Sequence, residues 1–125
     1  MLAVVLMAVS VSAVKLWNSP ADLPTTVPAK CRAAVTLNIT CEFLVTADKA
    51  ANGRVVVGDA AVEYCSDSCR SSLASFQQKV TEGCGANQYA FWRNSNRTDS
   101  GKAIVDSLIW AQNLVCIKDE FVFCP

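Results

Sequence analysis

Seven cysteines in a chain of 125 residues constrain this sequence more than any other feature: Cys31, Cys41, Cys65, Cys69, Cys84, Cys116 and Cys124. What they do depends on the redox compartment, because thiols oxidise to bridges outside the cell and stay reduced or bind metal inside it. The first thirteen residues, MLAVVLMAVSVSA, decide between these fates. They hold eleven apolar residues and two serines and end in the small residues Val11-Ser12-Ala13, the pattern of a secretory signal peptide. Thirteen residues are too few to cross a bilayer core as a helix, which takes roughly 20. The segment therefore reads as a signal peptide over 1–13, with no membrane anchor, and the protein as secreted and extracellular. Two N-x-S/T triplets, Asn38-Ile39-Thr40 and Asn96-Arg97-Thr98, are N-glycosylation acceptors at Asn38 and Asn96 and fit the same route.

In that compartment the cysteines are disulfide candidates. Their number is odd, and choosing the unpaired one and then pairing six leaves roughly a hundred connectivities. The odd residue fits a free thiol, an intermolecular bridge, or a chain that continues past Pro125. Cys65 and Cys69 are four apart on one helical face, so they are expected to bond outward into separate bridges. A metal site built from Cys65, Cys69, Cys84 and Cys116 is the alternative; secreted thiols favour oxidation, and no metal or other cofactor is expected.

The pattern between the cysteines is helical. After an extended leader over 14–25 with two prolines and Trp17, Thr26 offers an N-cap for a helix with Pro28 in its first turn, running to about Leu37. The stretch from Cys41 to Gly58 reads as a short helix over TADKAAN with an extended link. Asp59 then offers a cap for AAVEYC. Cys65, Cys69, Leu73, Phe76, Val80 and Cys84 recur at spacings of three and four, one apolar stripe of a long helix that Ser66-Asp67-Ser68 could interrupt and recap. NQYAFWRNSNRTDS reads as a loop or short hairpin. Ser100 caps the last helix, GKAIVDSLIWAQNLVCI, whose breadth of apolar residues places Trp110 in the core. These segments make residues 26–125 an all-α, disulfide-stapled domain of about four helical segments.

Chemistry is limited by what is missing. The sequence has no histidine, which closes imidazole-based catalysis and metal ligation to it, and its 11 basic and 11 acidic residues balance, which offers nucleic acid no basic surface. Asp59 with Glu63, Asp67, Asp106 and Asp119-Glu120 are the carboxylates available for acid–base work, and all fit better as caps or solvated helix faces. No catalytic residue is assigned. The run Tyr89-Ala90-Phe91-Trp92 with Arg93 and Asn94 has two readings: Tyr89 and Trp92 stack on a sugar ring while Arg93 and Asn94 bond its hydroxyls, or Phe91 and Trp92 plug the core.

A proline-led helix carrying Cys31, then Ile39-Thr40-Cys41, then Tyr64-Cys65 with Cys69-Arg70 and Leu73, then Val80 and Cys84-Gly85, and last Ile104, Leu108 and Trp110 followed by Cys116-Ile117-Lys118-Asp119, resembles the cysteine-rich region of secreted fungal LysM-domain proteins. The resemblance covers roughly residues 23 to 124. It implies a secreted, non-catalytic fungal protein associated with the cell wall or of effector type. In that family a second cysteine segment and LysM modules generally follow, and those modules bind chitin or related N-acetylglucosamine polymers. No position here matches their ligand residues, so none is carried over. The expected partner is chitin or another wall polysaccharide, reached directly or through such modules; the alternative is a host or competitor protein that the stapled surface binds or inhibits.

Overall fold

The computed structural model describes residues 13–52 and 59–121. The signal-peptide segment up to residue 12, the extended link over 53–58, and Cys124 lie outside the described residues.

The helix with the clearest stripe forms the centre of the fold. Helix α4 (Asp67–Cys84) starts where Ser66 accepts the Cys69 backbone N–H at 3.2 Å, so the interruption read from Ser66-Asp67-Ser68 is a real helix start. Cys69, Leu73, Phe76, Val80 and Cys84 are buried along one side of it. It ends at Gly85, whose φ of 65° is the left-handed conformation that favours glycine. Helices α1 (Ala29–Val35) and α5 (Gly101–Phe121) are its principal packing partners. Two shorter helices, α2 (Ala47–Ala51) and α3 (Asp59–Tyr64), lean on α5, and β1 (Gln88–Tyr89) pairs antiparallel with β2 (Asp99–Ser100) to close the loop before α5. The all-α reading holds, with five α-helices and a two-stranded hairpin among the described residues.

Three disulfides fix the arrangement: Cys31–Cys84, Cys41–Cys69 and Cys65–Cys116. Cys65 and Cys69 do enter separate bridges. The first two run antiparallel, tying the segment from α1 to Cys41 against both ends of α4 over about 22 Å of helix. The third joins the α3–α4 corner to α5. The four cysteines weighed as a metal set are thus divided among three bridges, which leaves none of them as a thiolate ligand.

Close approach lets α1 lie along α4. A Cβ on Gly83 would come within 2.8 Å of the Ala34 Cβ and 3.0 Å of the Lys30 carbonyl oxygen. Buried Gln112 of α5 donates to the Tyr64 carbonyl oxygen at 2.9 Å, giving the C-terminal end of α3 a donor that the carbonyls of a helix C-terminus lack. Thr46 and Ser100 cap α2 and α5, accepting from Lys49 and Ala103.

Several expectations are corrected. Thr26 is not a cap: it lies in a turn closed by the Val27 N–H on the Pro24 carbonyl, and α1 begins after Pro28, whose ring cannot donate a side-chain cap. Leu37 falls beyond the end of α1 and is exposed. Trp110 is 49% exposed rather than in the core. Two residues past Leu108 rotates its side chain by about 200° around the helix, away from the buried line of Val105, Leu108, Gln112 and Val115. The stretch over 14–25 is more than a leader. Val14 forms an antiparallel bridge with Ile39, exchanging hydrogen bonds of 2.8 and 2.9 Å; Pro20–Asp22 form a 3-10 turn capped by Ser19; and Leu23 is buried.

The Tyr64 hydroxyl is buried, and burial pushes it up to about 12 against a smaller opposing pull from the Val45 backbone that does not reach hydrogen-bond geometry. Its ring stacks on Phe43 with centroids 5.1 Å apart. The fold thus favours the neutral phenol, a contribution fully present below the unfolded value near 10 and lost as pH rises through about 12. Tyr64→Phe keeps the stack and removes the unpartnered hydroxyl. It is expected to change stability at pH 7 by no more than about 1 kcal/mol in either direction and to remove this loss of stability above pH 10, as read by urea unfolding at pH 7 and about pH 11.

Candidate functional site

The residues between 14 and 25 matter because they form one wall of a cleft. Arg93 reaches across the chain to them: its Nε donates to the Asp22 carbonyl at 3.0 Å, and its Nη2 donates to the Ala21 and Leu23 carbonyls at 2.8 and 3.2 Å. A guanidinium presents a fork of donors in fixed geometry, so three successive carbonyls around one turn suit it better than they would suit an ammonium. With this segment held down, Trp17 stacks on Phe91 at 5.8 Å and meets Trp92 at 5.9 Å, tilted by 49°.

The cleft, about 420 Å³, opens beside these two indoles. Leu16 and Trp17 line it from the N-terminal segment, Thr46 and Asp48 from the start of α2, Trp92, Arg97 and Asp99 from the hairpin, and Ile104, Ser107 and Leu108 from α5. Arg97 lies over the Trp92 ring, 5.0 Å from its centroid, and its Nε is 2.9 Å from Asp99 Oδ2. This contact is an ion pair without hydrogen-bond alignment, so the buried Asp99 Oδ2 has a charge partner and no donor aimed at it. Arg97 itself is 69% exposed at its side chain, whereas Asp99 is only 19% exposed. An apolar wall of two indoles with carboxylates, hydroxyls and one exposed guanidinium can hold a flat, hydroxyl-rich ligand.

The aromatic run therefore divides between its two readings. Phe91 is fully buried and plugs the core, and Tyr89 packs edge-on against it at 6.0 Å, outside the cleft. Trp92 is half-buried and lines the cleft. Arg93, which the sequence offered as a partner for sugar hydroxyls, is spent on main-chain carbonyls instead. Asn94 adopts a φ of 65° in the tight turn of this loop, the left-handed conformation asparagine tolerates. Trp17, Arg97 and Asp99 had no signal as site residues: nothing local says that a residue in a proline-rich stretch will meet a loop 75 positions away.

The carboxylates weighed for acid–base work are dispersed. Asp67 lies in the first turn of α4, Glu63 is exposed, and Asp59, Asp119 and Glu120 have side chains outside the described residues. Asp106 is held below the usual carboxylate range, chiefly by the hydrogen bond from Lys102 Nζ at 2.6 Å and also by Gln77 of α4. The carboxylates that share the cleft are Asp48 and Asp99. Asp99 is ion-paired, and Asp48, in the first turn of α2, accepts from Asn52 at 3.4 Å. Asn38 and Asn96 are both exposed. Among the described residues no cluster of three acidic or cysteine side chains could hold a metal ion, and no helix is long and apolar enough to cross a membrane.

Arg93→Ala is expected to remove three charge-assisted contacts, lower stability by about 1 to 3 kcal/mol and loosen Trp17. Urea unfolding and a red shift of tryptophan emission in the native state check both. Arg93→Lys, which cannot reproduce the fork, is expected to recover only part of the loss.

No protein-family model matches the chain, and no solved structure matches it. One curated protein does, "Secreted LysM effector LysM10" from Penicillium expansum, 37% identical over 124 residues, which is 98% of this chain. The chain spans 45% of that relative's length. Along nearly all of its residues the chain is thus similar to a secreted fungal LysM effector, in keeping with the cysteine-rich region of secreted fungal LysM-domain proteins that its cysteine spacing resembles.

Proposed function

We propose that this chain is a secreted, non-catalytic, effector-type module that binds cell-wall carbohydrate of the chitin type directly, through the tryptophan cleft. The observation that carries this reading is the arrangement at Trp92. One exposed side chain, Arg97, covers both the indole face and the under-partnered Asp99 carboxylate, so swinging it aside uncovers a stacking platform and an acceptor together. A sugar ring needs that pair, a face for its C–H side and acceptors for its hydroxyls. Similarity to a secreted LysM effector supports the extracellular location. Passage through the secretory pathway, with removal of residues 1–13 and glycosylation at Asn38 and Asn96, belongs to the same reading. Asp48 and Asp99 are binding acceptors here, with no proton-transfer role.

Titration of the secreted chain with N-acetylglucosamine oligomers, followed by tryptophan emission and calorimetry, tests the reading. Saturable binding is expected. Trp92→Ala and Trp17→Ala are each expected to weaken it about tenfold, roughly 1.4 kcal/mol, while Trp110→Ala, away from the cleft, leaves it unchanged. Oligomers recovered afterwards should keep their length. Absence of binding to any wall polysaccharide would overturn direct recognition.

A second reading has its own observation. Trp110 and Ile117, seven residues apart on α5, both expose about half their surface on one helical face, and Val62 of α3 is also exposed. Large apolar groups exposed together on one face suit a host or competitor protein as partner. A silent glycan titration together with saturable binding to a defined host protein, lost in Trp110→Ala, would favour it.

A further inference from the structure

A second groove, about 350 Å³, lies between the link that follows α1 and α4. Its α4 wall is built of hydroxyls: Ser68, Ser71, Ser72 and Ser75 stand at the three- and four-residue spacings of one helical face, with Lys79 one turn further on. Among the described residues, Ser72 accepts the Thr40 backbone N–H at 2.7 Å, and the hydroxyls of Ser68, Ser71 and Ser75 have no protein partner. The facing wall is Leu37, Asn38 and Thr40. Leu37 is one of the few large apolar side chains left exposed.

Asn38 is the acceptor of a glycosylation triplet, and its place on this rim is fixed. The next residue, Ile39, is fully buried and exchanges two backbone hydrogen bonds with Val14; Cys41 is locked to Cys69 of α4. A group attached at Asn38 therefore starts at the edge of a hydroxyl-lined trough whose exposed apolar flank, Leu37, adjoins it, with buried Phe76 at its base. We propose that the groove is a cradle for the chain's own N-linked glycan at Asn38, with the proximal N-acetylglucosamine unit lying against α4. Its hydroxyls and amide meet Ser71, Ser75 and Lys79, and its acetyl methyl covers Leu37. The attachment is a transfer from a lipid pyrophosphate-linked oligosaccharide. The Asn38 amide nitrogen bonds the anomeric carbon and loses a proton, and the anomeric C–O bond breaks to release the lipid pyrophosphate. This transfer takes place on the unfolded chain, before the Cys41–Cys69 bridge closes, so the cradle fills as the domain folds. The proposal rests on the glycosylation at Asn38 included in the reading above, and it does not need chitin binding.

Asn96 supplies an internal comparison. It lies in an exposed loop, and it is not among the residues that line the groove. The chain secreted from a yeast host is treated with peptide N-glycosidase under native and denaturing conditions, and release at each asparagine is followed by peptide mass spectrometry. Under native conditions the Asn38 glycan is expected to be released roughly tenfold more slowly than the Asn96 glycan, and after denaturation at a similar rate, because a cradled sugar is cut only when the site opens. Ser75→Phe, which fills the trough from an exposed helix position, is expected to bring native release at Asn38 up to the Asn96 rate. Ala74→Phe, which places the same ring at an exposed α4 position that does not line the groove, should not, and circular dichroism establishes that both variants are folded. An unmodified Asn38 in the secreted chain, or native release as fast as at Asn96, would overturn the cradle. Either result leaves the chitin titration of the other cleft unaffected, so the two proposals fail separately.

Discussion

The antiparallel pair of bridges, Cys31–Cys84 and Cys41–Cys69, is the constraint on which the rest of the structure depends. A seven-residue helix such as α1 is marginal alone in water, since nucleation costs more than so few hydrogen bonds return. Tied to an 18-residue helix at Cys31 and again, beyond its own end, at Cys41, it is held in register, and the approach at Gly83 becomes close enough for backbone to lie on backbone. Each bridge closes a loop of 28 to 53 residues, and restricting the unfolded chain in this way contributes about 2 to 4 kcal/mol per bridge in typical cases. The clamp also sets the direction of the link after α1, which aligns Ile39 for its bridge with Val14. One covalent constraint is thus passed on, through two backbone hydrogen bonds, to the N-terminal segment.

That chain of dependence explains why the tryptophan cleft is made of pieces from four places. Only α5 presents its wall by regular periodicity. The others are positioned by single interactions: Arg93 for the segment with Trp17, the β1–β2 pairing for Asp99, and the Thr46 cap for Asp48. Polar groups at helix starts and in loops are placed by their backbone, while the indoles are placed by packing on Phe91. The cleft is therefore rigid along its aromatic floor and adjustable at Arg97.

How much of this could be read beforehand follows the range of the interaction. Period and caps are local, so the α4 stripe and its restart at Ser66 were visible in the residues. So was the separation of Cys65 and Cys69 into two bridges, since four residues of helix fix their directions. Which cysteines they meet depends on how helices pack, and spacing leaves that open. The misplacement of Trp110 has a different source. Helix α5 is apolar around most of its circumference, so hydrophobicity alone cannot say which side faces inward; the buried amide of Gln112, which needs the Tyr64 carbonyl, marks that side better than the tryptophan does. Trp17 was illegible because its partners are supplied by tertiary contacts, and Arg93 was misread because a guanidinium beside aromatics suits a ligand and a backbone turn equally well.

The grip of Arg93 on residues 21–23 has a consequence for how such a domain can vary. It holds only carbonyl oxygens, which every amino acid carries, so it is blind to the side chains of the segment it secures. Ala21 and Asp22, both exposed, can drift in identity without moving the wall behind them, while the arginine that reads them cannot change. The cleft could in this way keep its shape across diverging sequences while the surface around its mouth is rewritten, leaving a partner that inspects side chains on that surface with a target that changes and a ligand inside the cleft with one that does not.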